Sequence, residues 1–189
     1  MKRKGLTVFL ALVILAIYWP LSKYWYVQDD WGSLHQFMFE SPRTILAATF
    51  RLDGQTFYRP FGVLYNWGIY SVFGLNAGGF HALALGWMFA AGYLVMLIAR
   101  ELTKDELVSW GAAFIYVSAS SIHLDTQLWL VGSFELGAVT FSLASILTFM
   151  RGRYVCSAGL FLLALGFKES AIVTLPTIAL FHFLRWRTK

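Results

Sequence analysis

Apolar runs long enough to cross a lipid bilayer recur along this chain. A transmembrane helix needs about 20 consecutive, mainly apolar residues. Of the 189 residues, 58% are hydrophobic and 13% are charged, too few charges to cover the core of a water-soluble domain this long. The sequence predicts an all-α polytopic transmembrane bundle, one domain over residues 1–189, with six spans at about Leu6–Leu21, Gly78–Ile98, Leu107–Ile122, Leu128–Met150, Tyr154–Phe167 and Ala171–Trp186.

The distribution of charge predicts the orientation of these spans. If the N-terminus is cytosolic, the inner segments carry ten basic and three acidic residues, and the outer segments carry five basic and seven acidic ones. These account for all 15 basic and 10 acidic residues of the chain. Lys and Arg concentrate on the cytosolic side of membrane proteins. We therefore expect both termini inside. Because the basic residues form no stripe, we expect no nucleic-acid partner.

The N-terminal segment resembles a signal peptide, but no small-residue cleavage site follows Trp19. We interpret it as an uncleaved signal anchor, with a cleaved secretory signal as the alternative. The first outer loop then covers about residues 22–77. Within it, Phe61–Gly74 begins beside Arg59-Pro60 and is apolar but only about 14 residues long, which predicts a short interfacial helix in the membrane plane. The last two spans are also short for ordinary spans, but dropping or adding one span would disrupt the charge pattern.

Two adjacent carboxylates, Asp29 and Asp30, follow the first span. Such a pair near a membrane can coordinate a cation, or one carboxylate can act as general base while the other orients a substrate. The alternative is a solvated loop in which Asp30 caps a helix over Trp31–Phe39.

Arg59 stands before Pro60 at the predicted membrane surface. A planar guanidinium fixed in this way suits a phosphate group. The alternative is that the side chain only snorkels from the interface into water.

Polar residues also mark the outer ends of the later spans. His123 and Asp125 close the third span, Glu135 lies one turn inside the fourth, and Lys168 and Glu169 separate the last two. Ionisable residues inside a membrane are by default functional or paired. For Glu135 the alternative is a structural ion pair with Lys168 or an arginine. For Lys168 and Glu169 it is a hydrophilic turn. We expect His81 to be a packing residue.

The order of these motifs resembles the N-terminal module of the GT-C glycosyltransferases, which use polyprenyl-phosphate sugars and include protein O-mannosyltransferases and lipid A aminoarabinose transferases. Asp29-Asp30-Trp31 is similar to their acidic pair in the first outer loop. Further matches are Tyr58-Arg59-Pro60-Phe61, Phe73-Gly74-Leu75-Asn76, Gly79-Phe80-His81, Ser121-Ile122-His123-Leu124-Asp125 with Trp129, Gly132 and Glu135, and Lys168-Glu169-Ser170. Ser121 stands where the family has proline, and Ser133 where it has arginine.

The resemblance implies inverting transfer of a sugar from a polyprenyl phosphate on the outer face. Asp29 or Asp30 would be the general base, Arg59 and Lys168 would neutralise the lipid phosphate, and donor or cation would be positioned by His123, Asp125, Glu135 and Glu169. A divalent cation remains open as cofactor.

Two other functions stay open beside this one. The first is a non-catalytic subunit of a larger membrane complex that retains a truncated GT-C-like fold. The second is a small transporter or lipid-binding protein. In each case membrane lipids surround the chain, and the expected location is a prokaryotic plasma membrane.

Overall fold

The computed structural model describes residues 3–52 and 57–187, with side chains for 4–52 and 57–183. Within these ranges the regular structure is helical, with no strand. The predicted all-α class is therefore confirmed for the described residues. In chain order the α-helices are α1 (Arg3–Tyr18), α2 (Asp30–Phe39), α3 (Pro42–Thr49), α4 (Pro60–Phe73), α5 (Ala77–Thr103), α6 (Glu106–Ser118), α7 (Ser120–Leu128), α8 (Gly132–Met150), α9 (Tyr154–Phe167) and α10 (Thr174–Arg187).

Among the described residues, three helical segments are long and apolar enough to cross a membrane: Lys4–Lys23, Ala77–Thr103 and Gly132–Met150. The first of these joins α1 to the 3-10 helix Trp19–Lys23. A fourth candidate is the pair α6 and α7, which bend by 57° at their junction. Tyr154–Phe167 and Glu169–Phe183 are shorter apolar helices. Three to four such spans are compatible with a membrane protein, and the count of six stays a prediction.

The boundaries of two predicted spans are wrong. The predicted third span, Leu107–Ile122, is broken at Ala119, and helical structure resumes through Leu128. The helix of the predicted fourth span, α8, consequently begins at Gly132 rather than at Leu128. Hydropathy averages over a window and does not register a bend inside an apolar stretch.

The bundle has two distinct ends, and Glu101 marks the first of them. The Glu101 carboxylate accepts a hydrogen bond from Arg151 at 3.0 Å, which joins the α5–α6 turn to the α8–α9 turn. His182 of α10 lies against Phe149 of α8, with ring centroids 6.2 Å apart. The second half of α10 therefore lies near the end where α8 finishes. We call this the Glu101 end.

The opposite end is marked by Glu135 and carries the residues singled out above. His81, in the first turns of α5, contacts two backbone carbonyls, Gln127 O at 3.0 Å and Tyr24 O at 3.2 Å. His81 is therefore a buried packing residue, as expected. Lys168 forms an ion pair with Glu135 at this end. We call it the Glu135 end.

Helix α4 lies across the Glu135 end. The Phe61 ring occupies the space beside Gly166 of α9, and the Phe134 ring of α8 occupies the space beside Gly62. At the other end of α4, Phe73 covers Gly79 of α5. A Cβ atom at any of these three glycines would overlap the facing ring. Glycine is therefore what lets α4 approach the ends of three helices at once.

The largest buried cluster lies between α1, α5 and α6. Leu10, Ile14 and Tyr18 of α1 pack there with Met88 and Val117. The Tyr18 hydroxyl donates to the Val117 carbonyl at 2.8 Å, so this buried polar group has a partner. Helix α1 is thereby held along the bundle, with its C-terminal end towards Glu135.

Candidate functional site

The first turn of α8 and the residue before it are contacted from four separate parts of the chain. These contacts join Val131 to Asp30, Ser133 to Asn66, Phe134 to Arg59 and Glu135 to Lys168. Four of the predicted site residues, Asp30, Arg59, Glu135 and Lys168, thus meet at one turn of one helix. The candidate site is built around this turn.

Asp30 is completely buried. Its carboxylate accepts the backbone N–H of Val27 and that of Val131, each at 3.2 Å. Burial raises the pKa of this carboxyl above its usual value, although the backbone hydrogen bonds act in the opposite direction. The predicted capping role is wrong, because α2 begins at Asp30 and the carboxylate binds backbone groups outside the helix.

Asp29 differs from its neighbour in that its side chain is exposed. It occupies the N-cap position of α2 but makes no capping hydrogen bond through its side chain. Of the two predicted general bases, Asp29 is therefore the one that a substrate can reach without displacing an internal hydrogen bond.

Arg59 and Glu169 form a two-pronged ion pair. The Arg59 Nε donates to Glu169 Oε2 at 2.8 Å, and Nη2 donates to Oε1 at 2.5 Å. The guanidinium carbon lies 4.3 Å from the Phe57 ring centroid and 5.7 Å from that of Phe134, distances that allow cation–π attraction. Arg59 does not simply snorkel into water, because its side chain is only 18% exposed.

This pairing has an electrostatic consequence for Glu169. The Arg59 guanidinium lowers the pKa of the Glu169 carboxyl from 4.5 to about 2, mainly by hydrogen bonding to the charged form. Glu169 is therefore ionised throughout the physiological range, and the pair carries no net charge.

Lys168 and Glu135 form the second ion pair of the cluster. Their side chains are 31% and 32% exposed, so water reaches both. The structural ion pair that was the alternative for Glu135 is thus present. The adjacent residues Lys168 and Glu169 hold partners on α8 and in the segment just before α4.

His123 and Asp125 are not brought into this cluster by any contact. His123 is buried and its Nε2 bonds the Tyr116 carbonyl at 3.0 Å, which bridges the α6–α7 bend. Asp125 is exposed on α7, and no described side chain bonds its carboxylate. Their predicted role in positioning donor or cation remains a prediction.

One buried polar pair was missed by the sequence reasoning. Asn66 of α4 is completely buried and accepts a hydrogen bond from the Ser133 hydroxyl at 2.7 Å. Its amide nitrogen lies 3.4 Å from the Leu130 carbonyl. The available signal was a single amide in the otherwise apolar stretch Phe61–Ile69. Ser133 thus points into the interior, where an arginine would displace Asn66.

A cavity of about 210 Å³ opens beside Arg59. Its walls come from α2, α3, α4 and the segment before α4, and they consist of Gln36, Ala48, Thr49, Phe57, Arg59 and Val63. No group of three His, Cys, Asp or Glu side chains in the described ranges is arranged to hold a metal ion.

Comparison with known proteins identifies no relative. No protein-family model, no curated protein and no solved structure matches this chain.

Proposed function

We propose that this chain is a GT-C-like membrane glycosyltransferase, or the N-terminal half of one, that transfers a sugar from a polyprenyl-phosphate donor on the outer face. The observation that carries the proposal is the meeting of Arg59, Glu135, Lys168 and Glu169 in one cluster. These residues come from three distant parts of the sequence, and the cluster lies beside a cavity at one end of an apolar bundle.

The topology in this proposal has six spans with both termini in the cytosol of a prokaryotic plasma membrane. Lys168 lies opposite Glu135, and His182 lies opposite Phe149. Glu135 and Phe149 are 14 residues apart in α8, and Lys168 and His182 are 14 residues apart in the segment that leads into α10. Fourteen residues correspond to about 21 Å of helix. This parallel course supports α9 and α10 as short crossings beside α8.

The distribution of described charges supports the same orientation. The Glu101 end carries Lys4, Arg100, Lys104, Arg151 and Arg153 among its charged residues. Under the positive-inside rule this end is cytosolic. The predicted contributions of Lys2, Asp53 and Lys189 lie outside the described residues, and those of Arg3, Arg185 and Arg187 lie outside the described side chains.

The geometry supports a division of roles among the charged residues. Asp29 serves as the general base on the acceptor hydroxyl, because it is exposed while Asp30 is buried and bonded. Lys168 receives the lipid phosphate by exchanging it for Glu135, since its ammonium holds a single carboxylate oxygen. Arg59 is held by two hydrogen bonds and is the less exchangeable cation.

A second candidate function is a non-catalytic subunit of a larger membrane complex. The observation in its favour is that both cations of the cluster are already neutralised by carboxylates. In this function the ion pairs and Asp30 serve only to join α2, α4, α8 and α9. Apolar flanks such as Val155 and Leu107, both more than 80% exposed, would contact lipids and neighbouring subunits.

The deciding experiment measures sugar transfer from a polyprenyl-phosphate sugar in vesicles that contain the full chain. Asp29→Asn is expected to lower the rate by about 10²–10⁴-fold, the usual contribution of a general base. Glu40→Gln, at another exposed acid of the same loop, is the matched control and should retain the wild-type rate. No transfer by the wild type, together with co-purifying membrane subunits in native mass spectrometry, would establish the second function instead.

A further inference from the structure

We propose that the cavity beside Arg59 binds a small uncharged hydroxylated molecule about the size of one sugar ring. The cavity lies between three helices, with Gln36 from α2, Thr49 from α3 and Val63 from α4 on its walls. Phe57 and Arg59 also line the cavity. The assignment of the occupant as a substrate rests on the proposed function, whereas the binding itself does not.

Arg59 offers a fixed row of hydrogen-bond donors. Glu169 accepts the Nε hydrogen and one hydrogen of Nη2. Both hydrogens of Nη1 and the second hydrogen of Nη2 are left to donate to a ligand. The Phe57 ring lies against one face of the guanidinium. Because Glu169 holds one edge of the guanidinium and Phe57 lies on one face, the group loses little further conformational freedom when a ligand binds.

The charge balance at Arg59 selects against an anion in the cavity. Glu169 neutralises Arg59, and Lys168, which exchanges its carboxylate for the lipid phosphate in the proposed function, does not line the cavity. A phosphate at Arg59 would have to displace a carboxylate that makes two charge-assisted hydrogen bonds. A hydroxyl group can accept from the free Nη1 while the ion pair stays intact.

The other walls fit the same kind of ligand. The Gln36 amide supplies a donor and an acceptor, and its only described partner is Glu40 at 3.4 Å. The Thr49 hydroxyl donates to the Ile45 carbonyl at 2.8 Å and retains a lone pair that can accept. Phe57 and Val63 supply apolar surface for the C–H groups of a ring.

The volume limits the size of the occupant. At about 210 Å³ the cavity is smaller than the roughly 300–1,000 Å³ typical of sites for drug-sized ligands. A volume of this size matches about one sugar ring. A small hydroxylated ring satisfies the donors, the apolar wall and the volume together.

The test is saturation-transfer NMR on the purified full chain in nanodiscs, with methyl hexopyranosides as neutral probes and methyl phosphate as the anionic competitor. The wild type is expected to bind a neutral glycoside, and methyl phosphate should not displace it. Arg59→Lys and Gln36→Leu should each weaken glycoside binding by about tenfold, the value of one ordinary hydrogen bond. Arg43→Lys, at an exposed arginine of α3 outside the cavity, should leave binding unchanged.

A second variant tests the charge argument without removing Arg59. In Glu169→Gln the charge of the guanidinium is no longer compensated, so in this variant methyl phosphate should displace the glycoside, which it does not do in the wild type. The proposal is overturned if methyl phosphate displaces the glycoside from the wild type, if no glycoside binds, or if Arg59→Lys and Gln36→Leu leave glycoside binding unchanged. Glycoside binding without any sugar transfer would refute the proposed function while leaving this site in place.

Discussion

Asp30 and Val131 are 101 residues apart in the sequence, yet the buried Asp30 carboxylate accepts the Val131 backbone N–H at 3.2 Å. The same carboxylate accepts the Val27 N–H, so one side chain joins the segment before α2 to the residue before α8. Four residues after Val131 stands Glu135, the partner of Lys168. The position of the ion-pair cluster therefore depends on a residue that does not belong to it.

Asp30→Ala should lower the free energy of unfolding by about 1–3 kcal/mol, because it leaves two backbone N–H groups without their acceptor. Asp30→Asn retains one acceptor oxygen and should cause a smaller loss. Asp29→Ala, at the exposed neighbour, is the control and should have almost no effect. Chemical unfolding in detergent micelles measures all three, and an equal loss in Asp29→Ala would refute the structural role of Asp30.

The Arg59–Glu169 pair predicts a defined pH dependence. The pKa of Glu169 falls from 4.5 to about 2 in the folded chain. A carboxyl with a lowered pKa stabilises the fold above the unfolded value, and this contribution disappears as the pH falls through the folded value. The difference in unfolding temperature between wild type and Glu169→Gln should therefore be constant at neutral pH and vanish between about pH 4.5 and 2.

Arg59→Gln provides the control for this pH dependence. This variant lacks the cation that pairs with Glu169. The difference in unfolding temperature between Arg59→Gln and Glu169→Gln should therefore stay constant across the same acid range. A difference between wild type and Glu169→Gln that persists unchanged below pH 2 would show that the ion pair does not contribute to stability.

Gly62→Ala should destabilise the fold by about 1–3 kcal/mol, the usual result of overpacking. The added Cβ would overlap the Phe134 ring and push α4 away from α8. Gly68→Ala on the same helix meets no atom within 4 Å and should be neutral or stabilising by up to about 1 kcal/mol. Unfolding in detergent compares the two variants, and equal stabilities would contradict the close approach of α4 to α8.

The two ends of the bundle should lie on opposite sides of the membrane. In a Cys156→Ser background, a membrane-impermeant maleimide should label Lys23→Cys and Asp125→Cys only from outside. It should label Thr103→Cys and Arg153→Cys only from the cytosol. All four positions are exposed. Labelling of Asp125→Cys from the cytosolic side would refute both the six-span topology and the outward-facing site.

Several elements could be predicted from local sequence. Tyr154–Phe167 was predicted with the bounds that α9 has, and Phe61–Gly74 differs from α4 by one residue at each end. Both stretches are apolar runs between polar or turn residues, a pattern that hydropathy detects directly. The α6–α7 bend was missed because it depends on φ and ψ at Ala119 rather than on composition.

The candidate site was predicted in its residue types, and the Glu135–Lys168 ion pair was among the alternatives, but the Arg59–Glu169 pair was not predicted. The sequence indicated Arg59, Glu135, Lys168 and Glu169 as site residues because they stand at or near the ends of apolar runs. The bonds between Arg59 and Glu169 join residues 110 positions apart. Such a pairing depends on which helix ends meet, and neither residue carries a local signal for it.

The sequence by itself determined that the chain forms apolar helices and that its ionisable residues collect near their ends, because charge is costly in hydrocarbon and in a packed core alike. Only the tertiary structure decided which carboxylate meets which cation, and that Asp30 is buried while Asp29 is exposed. The physical reason is the close packing of α4 across α8 and α9, where ring-to-glycine contacts set the positions of Arg59 and its partners.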